Sequence, residues 1–74
     1  MSAPIDLRED FTAETLRRMA TGVKDANQAR RLLALAAVYE GMSREDAARV
    51  GGMDRQTLRD WVHRFNRHGV DGLI

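Results

Sequence analysis

The sequence has no cysteine, which excludes a disulfide framework and any zinc site built on thiolates. It also lacks a long apolar run: the longest, Leu32 to Tyr39, has eight residues and is too short to span a bilayer. The polar and acidic start of the chain, Met1 to Asp10, is not typical of a signal peptide. These absences predict a soluble, cytoplasmic protein with no membrane partner.

The chain is also short for an enzyme, because 74 residues can bury a small core but not an enclosed active site. His63 and His68 are five positions apart, whereas a helical zinc pair needs a spacing of three or four. Gly51 and Gly52 are not followed by the Gly-Lys-Ser or Gly-Lys-Thr ending of a nucleotide-binding loop. We therefore expect no catalytic residue, no metal and no cofactor.

Four polar residues that favour helix N-caps each precede a stretch with helical periodicity. These residues are Thr12, Asp25, Ser43 and Asp54. They predict helices over about 13–21, 26–40, 44–50 and 55–67, with the fourth as the last regular element. The segment from Met1 to Glu9 has mixed charge and no periodicity, which is typical of a mobile arm or loop. We predict an all-α fold with an arm and short helix at 1–24 and a second domain at 25–74.

The third and fourth helices have the spacing of a helix-turn-helix. Ala48, Gly52, Leu58 and Trp61 fall where this motif needs a small residue, a turn glycine and two apolar residues. Ala47 with Gly51 offers a second register with the same small-to-glycine spacing, but it leaves the two apolar residues one position late. We prefer the register that pairs Ala48 with Gly52.

The fourth helix has one apolar and one basic side. Four arginines against one aspartate over residues 55–68 leave a local excess of three positive charges, in a chain whose net charge is only +1. Such a helix is suited to the major groove of duplex DNA, and the protein would then be associated with the nucleoid. Base-reading residues are predicted at Arg55, Gln56, Arg59 and His63. Phosphate-binding residues are predicted at Ser43, Arg44, Thr57, Arg64 and Arg67. The core is predicted at Leu32, Leu33, Ala36, Ala48, Leu58, Trp61, Val62 and Phe65.

Several stretches together resemble the N-terminal helix-turn-helix region of bacterial insertion-sequence transposases of the mariner superfamily. They are Gln28 to Ala36, Glu40 to Arg44, Ala47 to Gly52, Thr57 to Val62, Arg64 to Asn66 and Gly69 to Leu73. The most discriminating part is the closing Phe-x3-Gly-x2-Gly-Leu pattern from Phe65 to Leu73. The resemblance implies a homeodomain-like three-helix helix-turn-helix bundle with an added N-terminal helix, which recognises the terminal inverted repeats of a mobile element.

In that family a separate RNase H-like domain carries the metal-binding carboxylates that cut DNA. This chain has neither that domain nor the second DNA-binding subdomain, so the resemblance implies no catalysis by these residues. The bare apolar end, Leu73 and Ile74, suggests a chain cut from something longer.

Two other interpretations remain open at this stage. The chain could be a transcription regulator with the same motif, which would bind an operator instead of an inverted repeat. It could also be a helical protein-interaction module without DNA, in which the first helix and the Leu32 to Tyr39 face mediate dimerisation. A homodimer is compatible with each interpretation.

Overall fold

The computed structural model describes residues 4–74, which form an all-α bundle without any strand. The α-helices are α1 (Ala13–Gly22), α2 (Ala26–Tyr39), α3 (Arg44–Val50) and α4 (Arg55–His68). A short 3-10 helix (Gly69–Leu73) follows α4 directly. The all-α helix-turn-helix fold is therefore confirmed, whereas the expectation that α4 would be the last regular element was wrong.

All four predicted caps are confirmed, since each side chain accepts a hydrogen bond from a backbone amide in the first turn of its helix. The N···O distances range from 2.8 to 3.2 Å. The caps are Thr12 for α1, Asp25 for α2, Ser43 for α3 and Asp54 for α4. Each satisfies an amide that the helix itself leaves without a partner, and so the helix starts are set locally by the sequence.

The turn between α3 and α4 settles the register of the motif. Gly52 has φ +68°, and the amides of Gly52 and Met53 donate to the carbonyls of Arg49 and Ala48. This pair of bonds is a Schellman motif, in which the left-handed position favours glycine. Ala48 is buried where α3 packs against the bundle. The preferred register, with Ala48 and Gly52, is confirmed.

One hydrophobic core joins all the helices. Its large, fully buried side chains are Leu16, Leu32, Leu35, Leu58, Val62, Phe65 and Leu73. Alanines on α2 and α3 fill the space between these helices and allow them to approach closely. Six of the eight predicted core residues are buried, while Leu33 and Trp61 are half-buried and pack against the edge of the core. Because Leu58, Val62 and Phe65 already cover the core, Trp61 lies beside them at the rim.

The 3-10 helix turns the chain back against α4, and the closing glycine pattern explains how. Gly69 has φ +69° and ψ −152°, a conformation that is essentially restricted to glycine. A Cβ atom on Gly72 would overlap the backbone carbonyl of Arg64. Leu73 is fully buried as a result, whereas Ile74 stays largely exposed. The Phe-x3-Gly-x2-Gly-Leu pattern is thus the sequence signature of this tight return.

The segment 5–11, called the strap below, is fixed to the bundle. The Asn66 side chain accepts a hydrogen bond from the Arg8 amide at 2.9 Å and donates one to the Asp6 carbonyl at 2.8 Å. The Tyr39 hydroxyl donates to the Arg8 carbonyl. The expectation of a mobile arm was therefore wrong for the strap, because side chains distant in sequence bind its backbone. The first residues of the predicted arm, Met1 to Ala3, lie outside the described residues, and the division into two domains stays a prediction.

Candidate nucleic-acid interface

Helix α4 has a packed side and an exposed side. The packed side consists of Leu58, Val62 and Phe65, which are each at most 1% exposed. The exposed side carries all four predicted base-reading residues and two predicted phosphate-binding arginines. These are Arg55, Gln56, Arg59, His63, Arg64 and Arg67. Because side chains three and four positions apart share one face of a helix, the structure brings these residues together on one surface.

Three arginines of the exposed side are unengaged within residues 4–74. Arg55, Arg59 and Arg67 make no ion pair there. The arginines of α1 and α3 behave differently, since Arg17 pairs with Glu40 and Arg49 with Glu45. These three cations of α4 are therefore available to an anionic partner.

Arg64 is exposed, but its guanidinium lies over the ring of Trp61 at 5.1 Å from the centroid. Arg31 of α2 lies closer, at 3.9 Å, and also donates to the Leu73 carbonyl at 2.9 Å. The indole is thus covered by two cations, an arrangement that stabilises Trp61 at the rim of the core. Arg31 thus connects α2, α4 and the 3-10 helix. Nothing in the local pattern shows this contact, because it depends on how the chain returns after Gly69.

Arg44 is predicted to bind phosphate, and in the structure its guanidinium contacts the strap. The side chain is half-buried and donates to the Ile5 carbonyl of the strap at 2.6 Å. Burial lowers the pKa of Arg44, partly offset by the charge of Asp6. The guanidinium therefore binds the strap in this structure and is not presented to solvent beside α4.

The two hydroxyl residues predicted to bind phosphate lie at helix starts. Ser43 is exposed, and as the cap of α3 its Oγ accepts a hydrogen bond from the Asp46 amide. The hydroxyl hydrogen of Ser43 can still donate to another group. Thr57 is exposed in the first turn of α4. The Asp54 cap accepts the Thr57 amide, and this hydrogen bond lowers the pKa of the Asp54 carboxyl. Both hydroxyls are thus exposed at the start of their helices.

The helical face that a DNA-independent interaction module would need lies mostly inside this bundle. Leu32 and the run 34–37 of α2 are buried, and Leu16 and Ala20 of α1 pack into the same core. Leu33, Val38 and Tyr39 are half-buried beside them. The Leu32 to Tyr39 face is therefore largely occupied by the chain's own helices.

Comparison with known proteins agrees with this geometry. Residues 31–74 match the family model described as winged helix-turn helix, which is more than half of the chain. The chain therefore belongs to the winged helix-turn helix family. The residues matched include α3, α4, the turn glycine and the closing glycine pattern.

A similar protein is the uncharacterized protein y4pG/y4sC of Sinorhizobium fredii (strain NBRC 101917 / NGR234). It is 57% identical over all 74 residues, and these residues span 38% of its length. No solved structure matches the chain. No helix within residues 4–74 combines the length and apolarity needed to cross a membrane. Family membership and fold together indicate a DNA-binding helix-turn-helix domain.

Proposed function

We propose that the chain binds duplex DNA by inserting α4 into the major groove, and that it does so as the end-recognition part of a transposase. The observation that carries this proposal is the exposed side of α4, where three arginines lack any ion pair within residues 4–74. Guanidinium groups bind guanine edges and phosphates, and the amide of Gln56 suits adenine. The first turns of α4 would enter deepest and read bases, so we assign base contacts to Arg55, Gln56, Arg59 and His63.

Phosphate contacts are assigned to Ser43, Thr57, Arg64 and Arg67, without Arg44. The two cations in this set, Arg64 and Arg67, predict a slope of about −2 for log K against log salt, since each phosphate contact by a cation releases about 0.9 counterion. Arg44 would add to this slope only if the strap released it.

The finer proposal concerns the target, which would be the terminal inverted repeats of a mobile element. It is supported by the closing glycine pattern and by the stretches that resemble mariner-superfamily transposases. The chain also spans only 38% of the length of the relative from Sinorhizobium fredii. These residues would locate the element ends, and the cutting of DNA would belong to another domain.

Titration against random duplex at several salt concentrations tests DNA binding. The double variant Arg64→Ala with Arg67→Ala, which removes the two phosphate-binding arginines of α4, should lose most binding, whereas Arg17→Ala with Arg18→Ala removes the same charge from α1 and should change little. Arg17 and Arg18 form exposed pairs with Glu40 and Glu14, which contribute little to stability. If the two double variants weaken binding equally, net charge alone drives association and α4 does not enter a groove.

Footprinting on DNA that carries the coding region and its flanks tests the target. Protection of a repeat present in inverted orientation on both sides would support the transposase assignment. Protection confined to a single promoter operator would instead indicate a transcription regulator.

A further inference from the structure

Asp60 is the single acidic residue of α4, and it lies on the exposed side of the helix. Gln56 is four residues before it and His63 is three residues after it. These spacings place all three side chains on one face, one turn apart. A negative charge therefore lies in the middle of the surface that is proposed to meet DNA.

Asp60 makes no ion pair within residues 4–74, although a partner is close at hand in the sequence. Arg64 is four residues further on, the spacing at which carboxylates and arginines usually pair on a helix. The Arg64 guanidinium lies over Trp61 instead. On α1 and α3 the same spacing does give pairs, namely Glu14 with Arg18 and Glu45 with Arg49. The structure thus leaves the carboxylate of Asp60 open to solvent.

A carboxylate on a DNA-binding surface is tolerated only where its oxygens meet hydrogen-bond donors. Phosphate oxygens repel it, and so do the acceptors of guanine and thymine in the major groove. At its major-groove edge, adenine presents the N6 amino donor next to the N7 acceptor, whereas cytosine presents only its N4 amino donor. Cytosine is therefore the base edge that suits a carboxylate best.

We propose that Asp60 is a specificity-determining residue that accepts a hydrogen bond from the N4 amino group of a cytosine in the major groove. This inference rests on the proposed function, because it requires that α4 lies in the groove. It adds a base-reading role for a residue that opposes nonspecific binding, since the same charge repels the backbone of any sequence.

Selection from a library of duplexes with a randomised segment identifies the preferred site and tests this role in one experiment. The parent should select a site that contains a fixed C·G pair. Asp60→Ala should lose the preference at that pair, about 5- to 150-fold in affinity ratio, while the other preferences persist. Asp60→Asn should shift the preference from cytosine to adenine, because an amide can bind adenine N6 and N7 together. Asp60→Ala should also bind random duplex more tightly than the parent.

A matched control is Glu14→Ala, which removes one negative charge from an exposed position on α1. It should leave the selected site unchanged. Thermal melting of each variant checks that the bundle is intact, as expected for exposed positions.

The results separate this inference from the proposed function. If the parent selects a site and both Asp60 variants select the same one, Asp60 does not read a base, and DNA binding stands. If the parent binds duplex without any base preference, the Asp60 role also fails. If the parent binds no duplex at low salt, the proposed function itself is wrong.

Discussion

The two sides of α4 differ in what their side chains contact. On the packed side, Phe65 lies against Phe11, with ring centroids 5.1 Å apart, and against Tyr39 at 6.3 Å. On the exposed side, Arg55 and Arg59 form no ion pair within the described part of the chain. One helix of 14 residues thus packs against the core on one side and exposes a basic surface on the other.

Because of this difference, substitutions on the two sides of α4 should have effects that can be measured separately. A substitution on the packed side should alter the free energy of unfolding and lower binding only through loss of folded protein. A substitution on the exposed side should alter DNA binding and leave the melting temperature unchanged. Trp61 lies between the two sides, since it packs on the core and also carries two arginines.

The largest expected effect comes from the packed side. Phe65→Ala should cost about 3–5 kcal/mol of unfolding free energy, the usual range for deleting a buried aromatic side chain. In a domain of this size such a loss leaves little folded protein. Trp61→Ala should cost about 2 kcal/mol, because only part of the ring is removed from water. Urea unfolding of both variants measures the difference.

If Trp61→Ala unfolds the domain as fully as Phe65→Ala, the packed side extends to Trp61 and the two arginines are incidental. A Trp61→Phe variant serves as the control, because it keeps an aromatic ring for Arg31 and should retain much of the lost stability.

A smaller effect on stability is expected at the return of the chain after α4. Gly72→Ala places a Cβ atom against the Arg64 carbonyl, a backbone atom of α4 that cannot move aside. The expected cost is about 1–3 kcal/mol, which lowers the melting temperature by about 4–8 °C for each kcal/mol. Gly22→Ala is the matched control, since no atom lies within 4 Å of a Cβ at that position. Equal melting temperatures for the two variants would show that the 3-10 helix does not hold α4.

The exposed side should respond in binding alone, and its two ends should respond differently. Arg59→Ala should lose about 1–3 kcal/mol on the selected site and relax discrimination at one base pair. Arg67, in the last turn of α4, should contact a phosphate. Arg67→Ala should therefore weaken all duplexes alike and reduce the salt slope by about one unit. Titration against the selected site, its single-base variants and random duplex distinguishes the two. Should Arg59→Ala weaken every duplex equally, Arg59 binds phosphate and base reading must move to its neighbours.

The helices and their turn could be predicted because their signals are local. A cap such as Asp54 and a turn glycine such as Gly52 act on residues within one helical turn of themselves. The apolar period of α4 likewise predicted its packed side. The exposure of the arginines followed from the same period.

The errors concern contacts between residues far apart in the chain. The strap has no periodicity, and it is ordered because Asn66 and Arg44 bind its backbone. The Arg44 side chain is engaged by the strap for the same reason, and its phosphate-binding role stays a prediction. Trp61 has the spacing of a core residue, but its ring is covered by Arg31 of α2, which also donates to the Leu73 carbonyl of the 3-10 helix. Such contacts form only in the folded bundle and cannot be predicted from local sequence patterns.

The smallest expected effect lies at the start of α4 and concerns pH. The Thr57 amide donates to the Asp54 carboxylate, and this bond lowers the carboxyl pKa below the ordinary value of 3.8. A group whose pKa is lower in the folded state stabilises the fold above its unfolded pKa, and this contribution is lost as pH falls through the folded pKa. Arg17 lowers the pKa of Glu40 and Arg8 that of Asp10, so both act in the same direction. The melting temperature should therefore decrease once the pH is lowered below about 4.

The variant Asp54→Asn keeps an acceptor for the cap of α4 but does not titrate, so it should lose less stability than the parent between about pH 5 and pH 2. The difference should be small, because the carboxyl is exposed and screened by solvent. If the melting temperatures of parent and variant decrease by the same amount over that range, the cap of α4 does not depend on the charge of Asp54. The hydrogen bond from the Thr57 amide alone would then set where the helix begins.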